Sequence, residues 1–62
     1  MKWIGIELGG TMMWLREDAK ARILAKNLHD DEFRLETRDQ IGGDWTAAET
    51  PFPTLDAAKE AA

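Results

Sequence analysis

The 62-residue chain has no cysteine, no serine and a single histidine, His29. Without cysteine no disulfide can staple so short a domain, and no thiolate can hold a metal. That usage fits a reducing cytoplasm. Without serine or cysteine the usual nucleophile–base pairs cannot be assembled. Thr11, Thr37, Thr46, Thr50 and Thr54 remain, and none has a base at motif spacing. Long apolar runs are missing too, so no segment is expected to span a bilayer. Met1-Lys2 opens no apolar stretch of the kind that a secretion signal needs. The expectation is a single small domain over residues 1–62, cytoplasmic and without membrane contact.

What is present is bulk and charge. Trp3, Trp14, Trp45, Phe33 and Phe52 are the large side chains on which so small a core must lean. The net charge of −4 is unevenly spread. Residues 1–28 carry Lys2, Arg16, Lys20, Arg22 and Lys26 against Glu7, Glu17 and Asp18, a balance of +2. Residues 29–62 carry Arg34, Arg38 and Lys59 against nine acids, a balance of −6. Overall acidity disfavours nucleic acid as the main partner, because phosphates must be met by clustered Lys and Arg. A basic protein or ribonucleoprotein surface suits the acidic half better.

The N-terminal segment has the period of a strand. Ile4, Ile6 and Leu8 alternate with Trp3, Gly5 and Glu7, and Gly9-Gly10 then supplies a two-residue hairpin turn. That turn sets Leu8 opposite Thr11, Ile6 opposite Met13, Gly5 opposite Trp14, Ile4 opposite Leu15 and Trp3 opposite Arg16. One face becomes almost wholly aliphatic. On the other, an indole can cover the bare glycine, and Trp3 and Arg16 can form a cation–π contact. A one-residue slip would scramble both faces, so the register is specified.

Residues 18–28 are two-sided. Ala21, Leu24, Ala25 and Leu28 fit a helical face capped by Asp18, whereas Ala21, Ile23 and Ala25 fit one side of a strand. Phe33, Leu35 and Thr37 alternate with Arg34, Glu36 and Arg38 as a half-buried strand. From Asp39 to Thr50 the period is lost at Gly42-Gly43, and Trp45 pins a loop or irregular edge. Pro51 and Pro53 hold the chain extended, Thr54 caps a helix, and Asp56 suits its positive end. Leu55, Ala58 and Ala62 give that helix a narrow packing face.

Searches for chemistry end in turns. His29-Asp30-Asp31-Glu32 reads as a solvated connection, since adjacent loop residues rarely converge on a cation. The glycine pairs lack the strand–loop–helix setting and lysine of a phosphate loop. Glu36 and Asp39 cannot face each other from one strand. No enzyme, metal or cofactor is expected.

The run "ARILAKNL", "DDEFRLETRD", "GGDW" and "PFPTLDAAKEAA" resembles a class of small phage and prophage proteins. In these a β-meander leads into a helix opening with a Phe-x-Ser/Thr-Leu-x-x-Ala-Lys pattern, matched here by Phe52, Thr54, Leu55, Ala58 and Lys59. The resemblance covers roughly residues 21–62 and implies that 21–28 is a strand. Some anti-CRISPR proteins share this size and architecture. The expected fold is therefore α+β: an antiparallel meander of three or four strands with one C-terminal helix on one face.

The expected function is an acidic phage or mobile-element protein that blocks a host complex by occlusion. Its contact residues would be Asp30, Asp31 and Glu32, with Asp39 and Asp44 nearby. The alternative is a structural or assembly accessory protein of a phage that works as an oligomer. A homodimer would be one way to complete so small a core. Direct nucleic-acid binding, through Lys20, Arg22 and Lys26 with Trp14, ranks third.

Overall fold

A computed structural model describes residues 2–25 and 32–62 of the chain. Five antiparallel strands follow one another in sequence order across one sheet: β1 Trp3–Leu8, β2 Thr11–Arg16, β3 Ala21–Ala25, β4 Arg34–Thr37 and β5 Thr46–Ala47. One helix, α1 Leu55–Ala61, closes the chain. The class is α+β, a meander with its helix laid on the sheet. The fifth strand, only two residues long, lies in the stretch expected to be irregular.

The β1–β2 hairpin has the register set by its glycines. Leu8 faces Thr11, Ile6 faces Met13, Gly5 faces Trp14, Ile4 faces Leu15 and Trp3 faces Arg16. Gly9 and Gly10 take φ of 54° and 87°, the left-handed values that such a turn requires. A Cβ added at Gly5 would stand 3.3 Å from the Trp14 indole nitrogen, so the ring does lie over the bare backbone. Arg16, by contrast, is not committed to Trp3. Its Nε donates to the Asp18 carboxylate at 2.9 Å. The cation–π contacts among the described residues lie elsewhere, on Trp45.

Asp18 organises the β2–β3 turn. The same carboxylate oxygen accepts the Lys20 amide at 3.0 Å, and Ala19 between them is held at φ 60°. A left-handed alanine is strained by its Cβ. Ala19→Gly should therefore raise stability by about 0.5–1 kcal/mol, read as a higher urea midpoint, the relief outweighing the entropy glycine adds. The Arg16 side chain and the Lys20 amide hold Asp18 below its ordinary value of 3.8. A lowered folded-state pKa gives stability that is present above the ordinary value and lost as pH falls through the lowered one. An Asp18→Asn chain should thus lose less stability than the wild type when acid titration passes below 3.8.

Residues 21–25 are a strand, and the physical reason is the helix above them. Ala21, Ile23 and Ala25 are buried in a row, with Ile23 and Ala58 at zero exposure. Small residues on β3 let α1 approach closely. Trp3 and Trp14 pack against this centre, as do Phe33 and Phe52, forming an aromatic border around it. Trp14 and Phe33 meet with ring centroids 6.0 Å apart at a tilt of 52°. The helix therefore covers the tryptophan-and-alanine face, and the aliphatic face of the hairpin is left on the other side.

The C-terminal segment docks as its sequence implies. Phe52, between two prolines that lack an amide hydrogen, makes a single antiparallel rung with Phe33, with both bonds at 2.9 Å. Thr54 then accepts the Ala57 amide at 3.1 Å as the N-cap. Ala58 is buried, but Leu55 is only half-buried and Ala62 is an exposed C-cap, so the packing face is narrower than expected. Leu55→Ala should accordingly cost about 1–2 kcal/mol, below the usual range for fully buried leucines, as a drop in urea midpoint.

Candidate functional site

One face of the sheet is covered by no described element. Period-two alternation places Ile4, Ile6 and Leu8 of β1, Met13 and Leu15 of β2 and Leu24 of β3 side by side on the surface opposite α1. Ile4 is 55% and Leu8 59% exposed. Six aliphatic side chains thus form a continuous patch that no described element covers. Scattered exposed apolar residues need no explanation, whereas contiguous apolar patches are often functional.

The other half of this face is cationic and aromatic. Arg22 lies opposite Leu15 on one side and Glu36 on the other, and its Nε is bonded to the Glu36 carboxylate. The Arg22 guanidinium carbon stands 4.3 Å from the centroid of a Trp45 ring, and that of Arg38 stands 4.2 Å away. Arg38 is fixed further by donating from Nε to the Ala19 carbonyl at 2.9 Å. Trp45 is therefore the pin that its isolation in sequence suggests, and arginines hold it. Arg34, exposed beside Leu24, extends the row. Counting Arg22, Arg34 and Arg38 against Glu36, this half of the face carries +2 in a chain whose net charge is −4.

Of the acidic residues expected to form one contact surface, Glu32, Asp39 and Asp44 are described. Asp30 and Asp31 lie outside the described residues, as do His29 and Lys26. Glu32 is exposed just before Phe33, whereas Asp39 and Asp44 are exposed in the β4–β5 connection. Strand β4 runs between these two places, which puts Glu32 and Asp39 roughly 20 Å apart along the chain's extended path. Two of the residues named for nucleic-acid binding lie on different faces of the sheet. Trp14 points to the helix side with Ile23, while Arg22 points to the open face.

A shallow depression of about 80 Å³ between β4 and residues 47–51 is well below the size of substrate pockets. Among the described residues no three His, Cys, Asp or Glu side chains are grouped to hold a metal ion. No described helix is long and apolar enough to cross a membrane.

Sequence reasoning found the aliphatic row but not its exposure, and it missed the Arg22–Trp45–Arg38 contact. The row was legible from the alternation of residues 4–8 and the hairpin register. The Arg22–Trp45 half of that contact joins residues 23 apart in sequence and has no local signal. No protein-family model matches the chain, and no characterised protein or solved structure matches it.

Proposed function

We propose that this chain is a small, non-enzymatic binding protein of phage or mobile-element type, which inhibits a host complex by covering one of its surfaces. The open sheet face is its contact. The observation that carries this reading is the aliphatic patch of Ile4, Ile6, Leu8, Met13, Leu15 and Leu24, flanked by arginines and Trp45. An apolar centre with Arg and Trp beside it is the composition in which interface energy concentrates. The class comes from the resemblance of residues 21–62 to small phage proteins, and the surface comes from the uncovered face. Occlusion needs no cleft, which suits a domain of this size.

Capture from a host lysate on the immobilised chain tests it. The wild type should retain a discrete complex, and Ile4→Thr/Leu8→Thr should lose at least about tenfold in retention. Asp39→Asn/Asp44→Asn should retain it. The reverse pattern would move the contact to the acidic loops. Retention of nothing by the wild type would favour the assembly reading, in which the chain works as an oligomer.

A further inference from the structure

We propose that two copies of this chain pair along β1, edge to edge and antiparallel, into one ten-stranded sheet about a two-fold axis at Ile6. The two ends of the sheet are unequal. β5 has only two residues, whereas β1 has six and, among the described residues, no neighbour on its outer side. Natural edges of that length are usually blunted by proline, lysine or a bulge. Within β1 the only charge is Glu7, there is no proline, and the register runs unbroken from residue 3 to residue 8.

The hydrogen-bond phase of the strand identifies the free groups. Glu17 donates its amide to the Lys2 carbonyl at 3.0 Å, continuing the hairpin ladder by one rung. In an antiparallel pair, bonded and non-bonded rungs alternate. The bonded rungs are then Lys2–Glu17, Ile4–Leu15, Ile6–Met13 and Leu8–Thr11. The backbone groups of Trp3, Gly5 and Glu7 must point outward, toward the empty side. A second β1 can meet them only in registers that pair these odd-numbered residues with one another.

One such register matches the side chains as well. With Gly5 opposite Glu7 of the second copy, Ile6 faces its own counterpart, and Ile4 faces Leu8 in both directions. Three consecutive rungs on the open face become aliphatic pairs, the cross-strand combination that sheets favour. No like charges meet, because Glu7 lies opposite a glycine. Pairing like edges also stops at two copies, since it consumes the single long edge of each.

The occupant is a second copy because the edge is complementary to itself in both hydrogen-bond phase and side chains. Pairing leaves the open faces uncovered and side by side. Its aliphatic rungs use Ile4, Ile6 and Leu8 of that face, whereas its backbone bonds use the strand edge alone.

Sedimentation equilibrium of the full chain from micromolar to millimolar concentration should show a mass rising from 7.0 kDa toward twice that value. The Gly5 and Glu7 amides should gain protection from hydrogen exchange as it rises. Ile6→Lys and Ile6→Glu should each be monomeric, and their mixture should recover the pair, because the two side chains meet at the axis. Glu7→Pro removes one outward amide without touching the hairpin ladder, and it should be monomeric while retaining the circular dichroism of the wild type. A 7.0 kDa mass throughout would overturn the proposal, as would undiminished association of the folded Glu7→Pro chain or of Ile6→Lys alone. A monomeric wild type that still captured a host complex would sink the pairing and leave the open-face reading standing.

Discussion

Ile23→Ala is expected to unfold most of the molecules at room temperature. Among the described residues Ile23 is the one large side chain that is completely buried, and it sits at the centre of β3 with Leu35 opposite and Ala58 packed in the same cluster. Removing three carbons from such a site costs about 2–5 kcal/mol, because the cavity closes only in part. A single core in a domain of this size rarely supplies more than about 3–5 kcal/mol in total. Loss of far-UV ellipticity and of the blue-shifted tryptophan fluorescence would report the result. Ile23→Val keeps most of the volume and should cost only about 0.5–1.5 kcal/mol.

Ala58→Leu is the second large effect, and it works by the opposite route. Ala58 of α1 has no exposed surface and packs in one cluster with Ile23 of β3 and Leu35 of β4. Added carbons have nowhere to go except by lifting the helix. The expected loss is about 1–3 kcal/mol, the usual cost of overpacking a filled core. Ala61→Leu, on the exposed side of the same helix, should stay within about 0.5 kcal/mol of the wild type. A thermal melt of the two variants side by side would distinguish a tight seat from a loose one. Equal midpoints would contradict the packing described here.

Much of this architecture is readable from local chemistry. Gly9-Gly10 fixes the hairpin register because period-two patterning on both sides admits no other pairing, and Thr54 caps α1 because Pro53 holds the chain extended before it. What alternation cannot say is which face is covered. Residues 3–16 are apolar on both sides, and the decision comes from β3, where Ala21 and Ala25 leave room for a helix that the aliphatic face does not offer. The same alanines made residues 18–28 look helical in isolation, so the strand there is a tertiary override of local propensity. β5 is too short to show a period. Glu32 and Asp39 stand beyond opposite ends of β4, and Asp30 and Asp31 lie outside the described residues.

The candidate site was half-visible for the same reason. The aliphatic row Ile4, Ile6 and Leu8 was named from sequence as a face, and burial of such a row is the usual expectation. Its exposure follows only once the helix is placed. The Arg22–Trp45–Arg38 arrangement depends on β5 bringing Trp45 back beside β3 and β4, a long-range event that no spacing announces.

The central claim is that the aliphatic face is a surface and the tryptophan-and-alanine face is the core. The urea unfolding midpoint of Ile4→Thr/Leu8→Thr, taken at low concentration, tests it most directly. Threonine keeps the strand propensity while removing apolar surface. With Ile4 and Leu8 more than half exposed, the midpoint should stay within about 0.5 kcal/mol of the wild type. A loss of about 2 kcal/mol or more would mean that these side chains are core, and the open face would then not exist as a surface for any partner.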